Sequence, residues 1–146
     1  IKFAPGSFAS FITTILLFIS FHLLNIPLNI FFIFFFLIFL YSFYAINNYL
    51  KKISDKDPKE IVIDEVIGQS IPIYLYEISH NTDKQFDDAL IVYAIIFILF
   101  RFFDIVKPFP VSYFDKKFNN ALGVIFDDIC AGLYVVLILI MYMLLR

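Results

Sequence analysis

Residues 30–49, IFFIFFFLIFLYSFYAINNY, decide the fold. The stretch carries no charge and neither Gly nor Pro. About 20 consecutive apolar residues match the hydrocarbon thickness of a bilayer when wound as a helix. A helix that is apolar on every side has no place at a water interface, so lipid is its natural solvent. Tyr41, Tyr44 and Tyr49 lie toward the end of the stretch, where an aromatic belt marks the membrane surface.

The neighbouring sequence repeats this logic. Upstream, FASFITTILLFISFHLL (8–24) is a second apolar run, joined to the first by a turn containing Asn25, Pro27 and Asn29. It lacks a clear small-residue cleavage site, and we read it as a retained helix. Downstream, DALIVYAIIFILFRFF (88–103) and residues 120–145 form two further hydrophobic helices. Between the runs at 30–49 and 88–103, Asp57-Pro58-Lys59-Glu60 has the pattern of a helix start, with Asp57 as structural cap, Pro at the first helical position and Glu at the third. That start predicts a partly embedded helix over 58–77, kinked at Pro72. The expectation is one all-α, multihelical integral membrane domain over 1–146, with four to five membrane-embedded helices.

Composition agrees. Hydrophobic residues make up 62% of the chain and mean hydropathy is +0.89, against roughly 45–50% apolar content in soluble domains. Phe occurs 21 times, more than a soluble domain of 146 residues has interior to hide. A net charge of −2 argues against nucleic acid as a partner. Cys130 is the single cysteine, which excludes an internal disulfide, and its apolar setting reads as packing. His22 and His80 read as interfacial polar residues.

Charge sets the topology. Lys51, Lys52, Lys56 and Lys59 follow the second helix, and Arg101, Lys107, Lys116 and Lys117 lie at or after the end of the 88–103 helix. The turn at 25–29 has no Lys or Arg, and the loop at 79–88 has only Lys84. The positive-inside rule then puts 51–60 and 101–119 in the cytoplasm, provided 60–78 crosses outward or dips and returns. Acids distant in sequence thereby gather near one membrane face.

Two segments carry the chemistry. IVIDEVIGQ places Asp64 and Glu65 in an apolar helix, with Gly68 and Gln69 one turn later on the same broad sector. VIFDDICAGLY repeats the pattern with Asp127 and Asp128, followed one turn on by Ala131 and Gly132. Gly68 would admit a neighbouring backbone. An intramembrane carboxylate costs about 2.5–3.5 kcal/mol at mid-depth, and four together repel unless cations lie among them. Hard divalent cations such as Mg²⁺ take such oxygen ligands. The alternative is structural pairing with Arg101, Lys107 and nearby lysines. In FRFFDIVKPFP, Asp104 sits at a helix C-terminus, where the macrodipole disfavours it, so it requires a metal or Arg101 as compensation. Arg101 and Lys107 are suited to phosphate oxygens, or else simply snorkel to the headgroups. Asp55-Lys56-Asp57 lies in a polar loop and reads as loop plus cap.

DPKEIVIDEVIGQ (57–69), FRFFDIVKPFPV (100–111) and GVIFDDICAGLY (123–134), in this order and spacing, resemble the signature blocks of the bacterial phosphatidylglycerophosphatase A family. APGSFAS (4–10) resembles a further block, with Ser7 in place of Thr and Ala9 in place of a second Gly. The matched positions are Asp57, Asp64, Glu65, Arg101, Asp104, Lys107, Asp127 and Asp128. The resemblance implies a Mg²⁺-dependent phosphatase of the bacterial inner membrane, acting from the cytoplasmic face. Its substrate would be phosphatidylglycerophosphate and its product phosphatidylglycerol, in phospholipid biosynthesis. Combining both readings, Asp64, Glu65, Asp104, Asp127 and Asp128 are the expected catalytic and metal-binding set, and Arg101 and Lys107 the expected phosphate-binding pair. A small transporter or ion-conducting protein is the rival, but it would spread its acids through the membrane depth. A CDP-alcohol transferase would carry a different Asp-Gly signature, which this sequence lacks.

Overall fold

The computed structural model describes residues 5–51, 61–79, 86–113 and 120–145, without the side chains of residues 86 and 87. Five long helices lie among the described residues: α1 (Pro5–Phe18), α2 (Leu28–Leu50), α3 (Ile63–Ser79), α4 (Phe86–Val106) and α5 (Ala121–Leu145). No strand occurs among the described residues. α1 continues into a π-helical turn, Ile19–Leu23, closed by the Leu24 N–H donating to the Ile19 carbonyl at 2.9 Å. Among the described residues, four helices are long and apolar enough to cross a membrane: Pro5–Leu23, Leu28–Leu50, Asp88–Val106 and Ala121–Leu145. The protein is an all-α, multihelical membrane protein.

The side chains are sorted as lipid solvation requires. On α1, Gly6, Ser10, Thr13, Thr14 and Leu17 face inward, while Phe8, Phe11, Ile12, Ile15 and Leu16 face out. With lipid outside, burying Leu gains little. Small residues that let backbones approach are what bind membrane helices together. The buried hydroxyls satisfy themselves one turn back: Ser10 donates to the Gly6 carbonyl, Thr13 to Ala9 and Thr14 to Ser10, at 2.8–3.0 Å. α2 is the extreme case. Along its 23 residues only Ser42 and Ile46 are buried, and Phe32, Phe34 and Phe36 look outward.

α3 is the central helix. It packs most extensively against α5 and α1, and more lightly against α2 and α4. Gly6 of α1 lies against Glu65 near the start of α3, and His22 lies against Glu77 near its end, so α1 and α3 run in the same direction. α4 runs the other way, with Phe100 against Gly68 and Tyr93 against Glu77. α5 runs with α3, since Asp128 and Gly132 meet Gly68, and Gly132 also meets Pro72. Of the two options for residues 60–78, the structure has α3 run through the bundle from end to end.

The start of this helix differs from expectation. Ile61 and Val62 are not helical, so α3 does not run unbroken from Pro58. The Val66 N–H donates to the Val62 carbonyl at 3.3 Å, making Val62 the last residue before the helix. The Asp57 cap lies outside the described residues. Asp64 and Glu65 therefore stand in the first turn, not in the helix interior. Free N–H groups and the positive dipole end there favour anions by about 0.3–1 kcal/mol each. Pro72 lies within α3 without ending it.

His22 also departs from its interfacial reading. Its side chain is largely buried, with Nε2 3.2 Å from Glu77 Oε1, and its ring stacks on Phe18. Tyr93 donates to the same Glu77 oxygen at 3.0 Å. The π-turn carries His22 inward to this partner, and an isolated buried carboxylate would otherwise be costly. His80 lies outside the described residues. Cys130 is partly buried and packs against the core formed by Ile73, Ile96, Phe100 and Val135.

Candidate active site

The crossing of α3 and α5 positions the acids. A Cβ on Gly132 would come within 2.5 Å of the Gly68 carbonyl oxygen. A Cβ on Gly68 would meet the Asp128 carbonyl oxygen at 2.7 Å and the Phe100 ring at 2.8 Å. Pro72 assists, because it has no N–H to offer the Gly68 carbonyl four residues back. That oxygen abuts Gly132 instead. Backbones this close can be joined only by glycine. The contact sets Asp128 opposite the first turn of α3.

There Asp64, Glu65 and Asp128 each place one carboxylate oxygen within 4.8 Å of the others. Asp128 is almost fully buried. Asp64 Oδ1 and Glu65 Oε2 are buried and have no hydrogen-bond partner. The arrangement is hard oxygen donors only, with like charges converging and unpaired lone pairs. Those features fit a hard divalent cation such as Mg²⁺.

The other two expected ligands are held differently. Asp104, in the last turn of α4, lies beside Arg101, with Oδ2 2.6 Å from Nη1. The distance makes an ion pair, but the angle is not that of a hydrogen bond, and Nη1 and Nε keep unused donors. Ion pairing is not directional, so the two charges attract at this distance. Lys107 donates from Nζ to Asp127 Oδ2 at 3.0 Å, while Asp127 Oδ1 accepts the Asp128 N–H. Lys107 sits just past α4 in the left-handed region at φ 46°, which turns the chain back toward α5. The expected five-acid set thus divides: three carboxylates converge, and two are neutralised by the expected phosphate-binding cations. Both Asp104 and Asp127 remain within electrostatic reach of Asp128.

Gly6 is a site residue that motif reading did not assign. The Glu65 carboxylate lies directly on it, where any Cβ would collide. The obstacle is the end of a flexible side chain rather than backbone. Gly6→Ala is therefore expected to fold, with a melting temperature within a few degrees of wild type, but with Glu65 displaced. We expect any turnover that uses the Glu65 carboxylate to fall about tenfold or more, since misplacing a catalytic group by 1 Å costs up to about a hundredfold. Full activity in a well-folded Gly6→Ala protein would remove this contact from the site.

A family model described as phosphatidylglycerophosphatase A matches residues 1–143. The chain is 38% identical over 135 residues to a phosphatidylglycerophosphatase A of Haemophilus influenzae, covering 92% of this chain and 76% of that protein. It is 34% identical over 100 residues to a putative phosphatidylinositol-3-phosphatase of Bacteroides thetaiotaomicron, covering 67% of this chain and 58% of the relative. It is 32% identical over 89 residues to the phosphatidylglycerophosphatase A of Escherichia coli, covering 61% and 46%. No solved structure gives a significant match. The matched segments include α3, α4 and α5, the helices that carry the converging acids, and the match runs almost end to end. The chain belongs to the phosphatidylglycerophosphatase A family.

Proposed function

We propose that the protein hydrolyses the terminal phosphomonoester of phosphatidylglycerophosphate to phosphatidylglycerol and phosphate, with Mg²⁺ as cofactor, in phospholipid biosynthesis. The observation that carries this reading is the convergence of Asp64, Glu65 and Asp128 at one end of a membrane bundle. Family membership supports the phosphatase chemistry. Asp64, Glu65 and Asp128 would hold the metal, which when bound polarises the phosphoryl group and lowers the pKa of water. Arg101, whose buried Nε and Nη1 have no hydrogen-bond partner, would donate to the phosphoryl oxygens. Asp104 keeps Arg101 oriented, and Asp127 does the same for Lys107.

Lys51, Arg101 and Lys107 lie at the same end of the bundle as the acids, which supports a cytoplasmic-facing site in the bacterial inner membrane. The lipid tails would stay in the bilayer beside the site. The acid cluster does not continue through the bundle as an ion path would. Between it and Glu77 lie Ile73, Ile96 and Val135, all without exposure.

The test is phosphate release by purified protein in detergent. Turnover of phosphatidylglycerophosphate is expected with Mg²⁺, to be abolished by EDTA and restored by adding Mg²⁺ back. EDTA-resistant turnover would remove the metal from the mechanism. Preferential release from phosphatidylinositol 3-phosphate would reassign the substrate.

A further inference from the structure

We infer that the amide of Gln69 is a phosphate-binding group of the acid site, its Nε2–H donating to a phosphoryl oxygen beside Glu65. This rests on the phosphatase reading above and extends it to a residue with no assigned role.

Gln69 has no solvent exposure, and neither Nε2 nor Oε1 has a hydrogen-bond partner. A primary amide offers two donors and one acceptor oxygen, and burying it unpaired is strongly unfavourable. A Met or Leu would fill the same volume without that penalty, so packing does not account for a glutamine here. The nearby hydroxyls are committed elsewhere. Ser10, one turn past Gly6 on the parallel helix α1, donates to the Gly6 carbonyl at 3.0 Å, and Ser70 donates to Val66 at 2.6 Å.

Helix geometry gives the amide its direction. Gln69 follows Glu65 by four residues, so their Cβ atoms are about 5–6 Å apart on one face. Side chains on a helix lean toward its N-terminus, over the preceding turn. For Gln69 that turn holds Asp64 and Glu65. Glu65 Oε2 is itself unpartnered, so the amide does not donate to it. Two buried polar groups that share a face without bonding each other call for a third species that satisfies both. With a cation among the carboxylates, a phosphate oxyanion has the required chemistry, accepting from Gln69 Nε2 and from the unused donors of Arg101. The phosphate is that of the lipid headgroup or of free phosphate, and the two share this contact.

The test uses the full-length protein in detergent with two variants. Gln69→Met removes the amide and keeps the volume, and Gln69→Glu keeps the shape and replaces the donor with a charge. Wild-type controls are Mg²⁺-dependent turnover and the rise in melting temperature produced by inorganic phosphate with Mg²⁺. Absence of both in wild type would count against the phosphatase reading itself, independently of Gln69. With the controls in place, Gln69→Met is expected to melt at or above the wild-type temperature, because a buried unpaired group has been removed. It is also expected to lose the phosphate-induced rise and to turn over lipid about tenfold to a hundredfold more slowly, the range for losing a hydrogen bond to a charged group. Gln69→Glu is expected to lose the phosphate-induced rise as well, through repulsion. A Gln69→Met protein that keeps both the phosphate-induced rise and its turnover would overturn the inference. So would a raised KM for lipid with the phosphate response unchanged, since the contact would then be to another part of the headgroup. Should Gln69→Met fail to fold, a folded Gln69→Glu that still responds to phosphate overturns it equally.

Discussion

Asp64→Asn and Asp128→Asn are each expected to lower Mg²⁺-dependent phosphate release at least about a hundredfold, a typical loss for removing a strong electrostatic element. Asn keeps the volume of Asp and removes its charge, so packing is little disturbed. In EDTA these variants should melt at or above the wild-type temperature. Asp64, Glu65 and Asp128 converge with no ion pair to a cation of the described residues, and removing one charge relieves repulsion. The same substitution at Asp104 or Asp127 should act differently on stability. Each is the partner of a cation, Arg101 or Lys107, at 2.6 and 3.0 Å. Removing the Asp104 charge takes the counter-charge from the largely buried Arg101, and removing that of Asp127 weakens the hold on Lys107; breaking a buried pair costs about 3–5 kcal/mol when complete. Both sets should lose activity, but only the second should lose stability without metal. Melting temperatures measured in EDTA and in Mg²⁺, alongside phosphate release, separate the two. Early melting of Asp128→Asn in EDTA would place that carboxylate in a structural pair and sink the metal assignment.

The second large effect is expected at the α3–α5 crossing. In an ordinary helix Gly→Ala stabilises by about 0.5–1 kcal/mol. At Gly132 the sign should reverse, because a Cβ there would press on the Gly68 carbonyl at 2.5 Å, and a backbone atom yields far less readily than a side chain. Overpacking of this kind costs about 1–3 kcal/mol, which exceeds the propensity gain. Gly132→Leu should separate the helices outright. The same contact sets Asp128 against α3, so turnover should fall further than the folded fraction does. Leu133→Ala is the control: it changes the next residue of the same helix, on an exposed face, and should leave both properties nearly unchanged. Unfolding in mixed detergent micelles, with phosphate release on the same samples, measures both. A Gly132→Ala protein more stable than wild type would mean that the backbones do not meet there.

Much of the molecule was legible without coordinates, for a physical reason. In lipid each helix must satisfy its own backbone, so a run such as 30–49 determines its own structure locally, and α2 spans Leu28–Leu50 accordingly. The other apolar runs behaved alike, within a few residues at their ends. The costly intramembrane acids were conspicuous for the same reason, as were the small residues one turn beyond them.

What remained hidden depended on partners from other helices. The sequence determined by itself that this is an all-α membrane protein with paired acids on separate helices. It left open which acids pair with cations and which converge, because Arg101, Lys107, Asp104 and Asp127 differ only in what the crossing of α3, α4 and α5 brings beside them. Nor did it reveal Gly6 beneath Glu65, or Glu77 held by His22 and Tyr93, since each contact joins residues at least 16 positions apart. Helix formation is decided by the solvent and the local chain. The site is decided by how closely backbones approach, and only the tertiary structure, through Gly68 and Gly132, sets that distance.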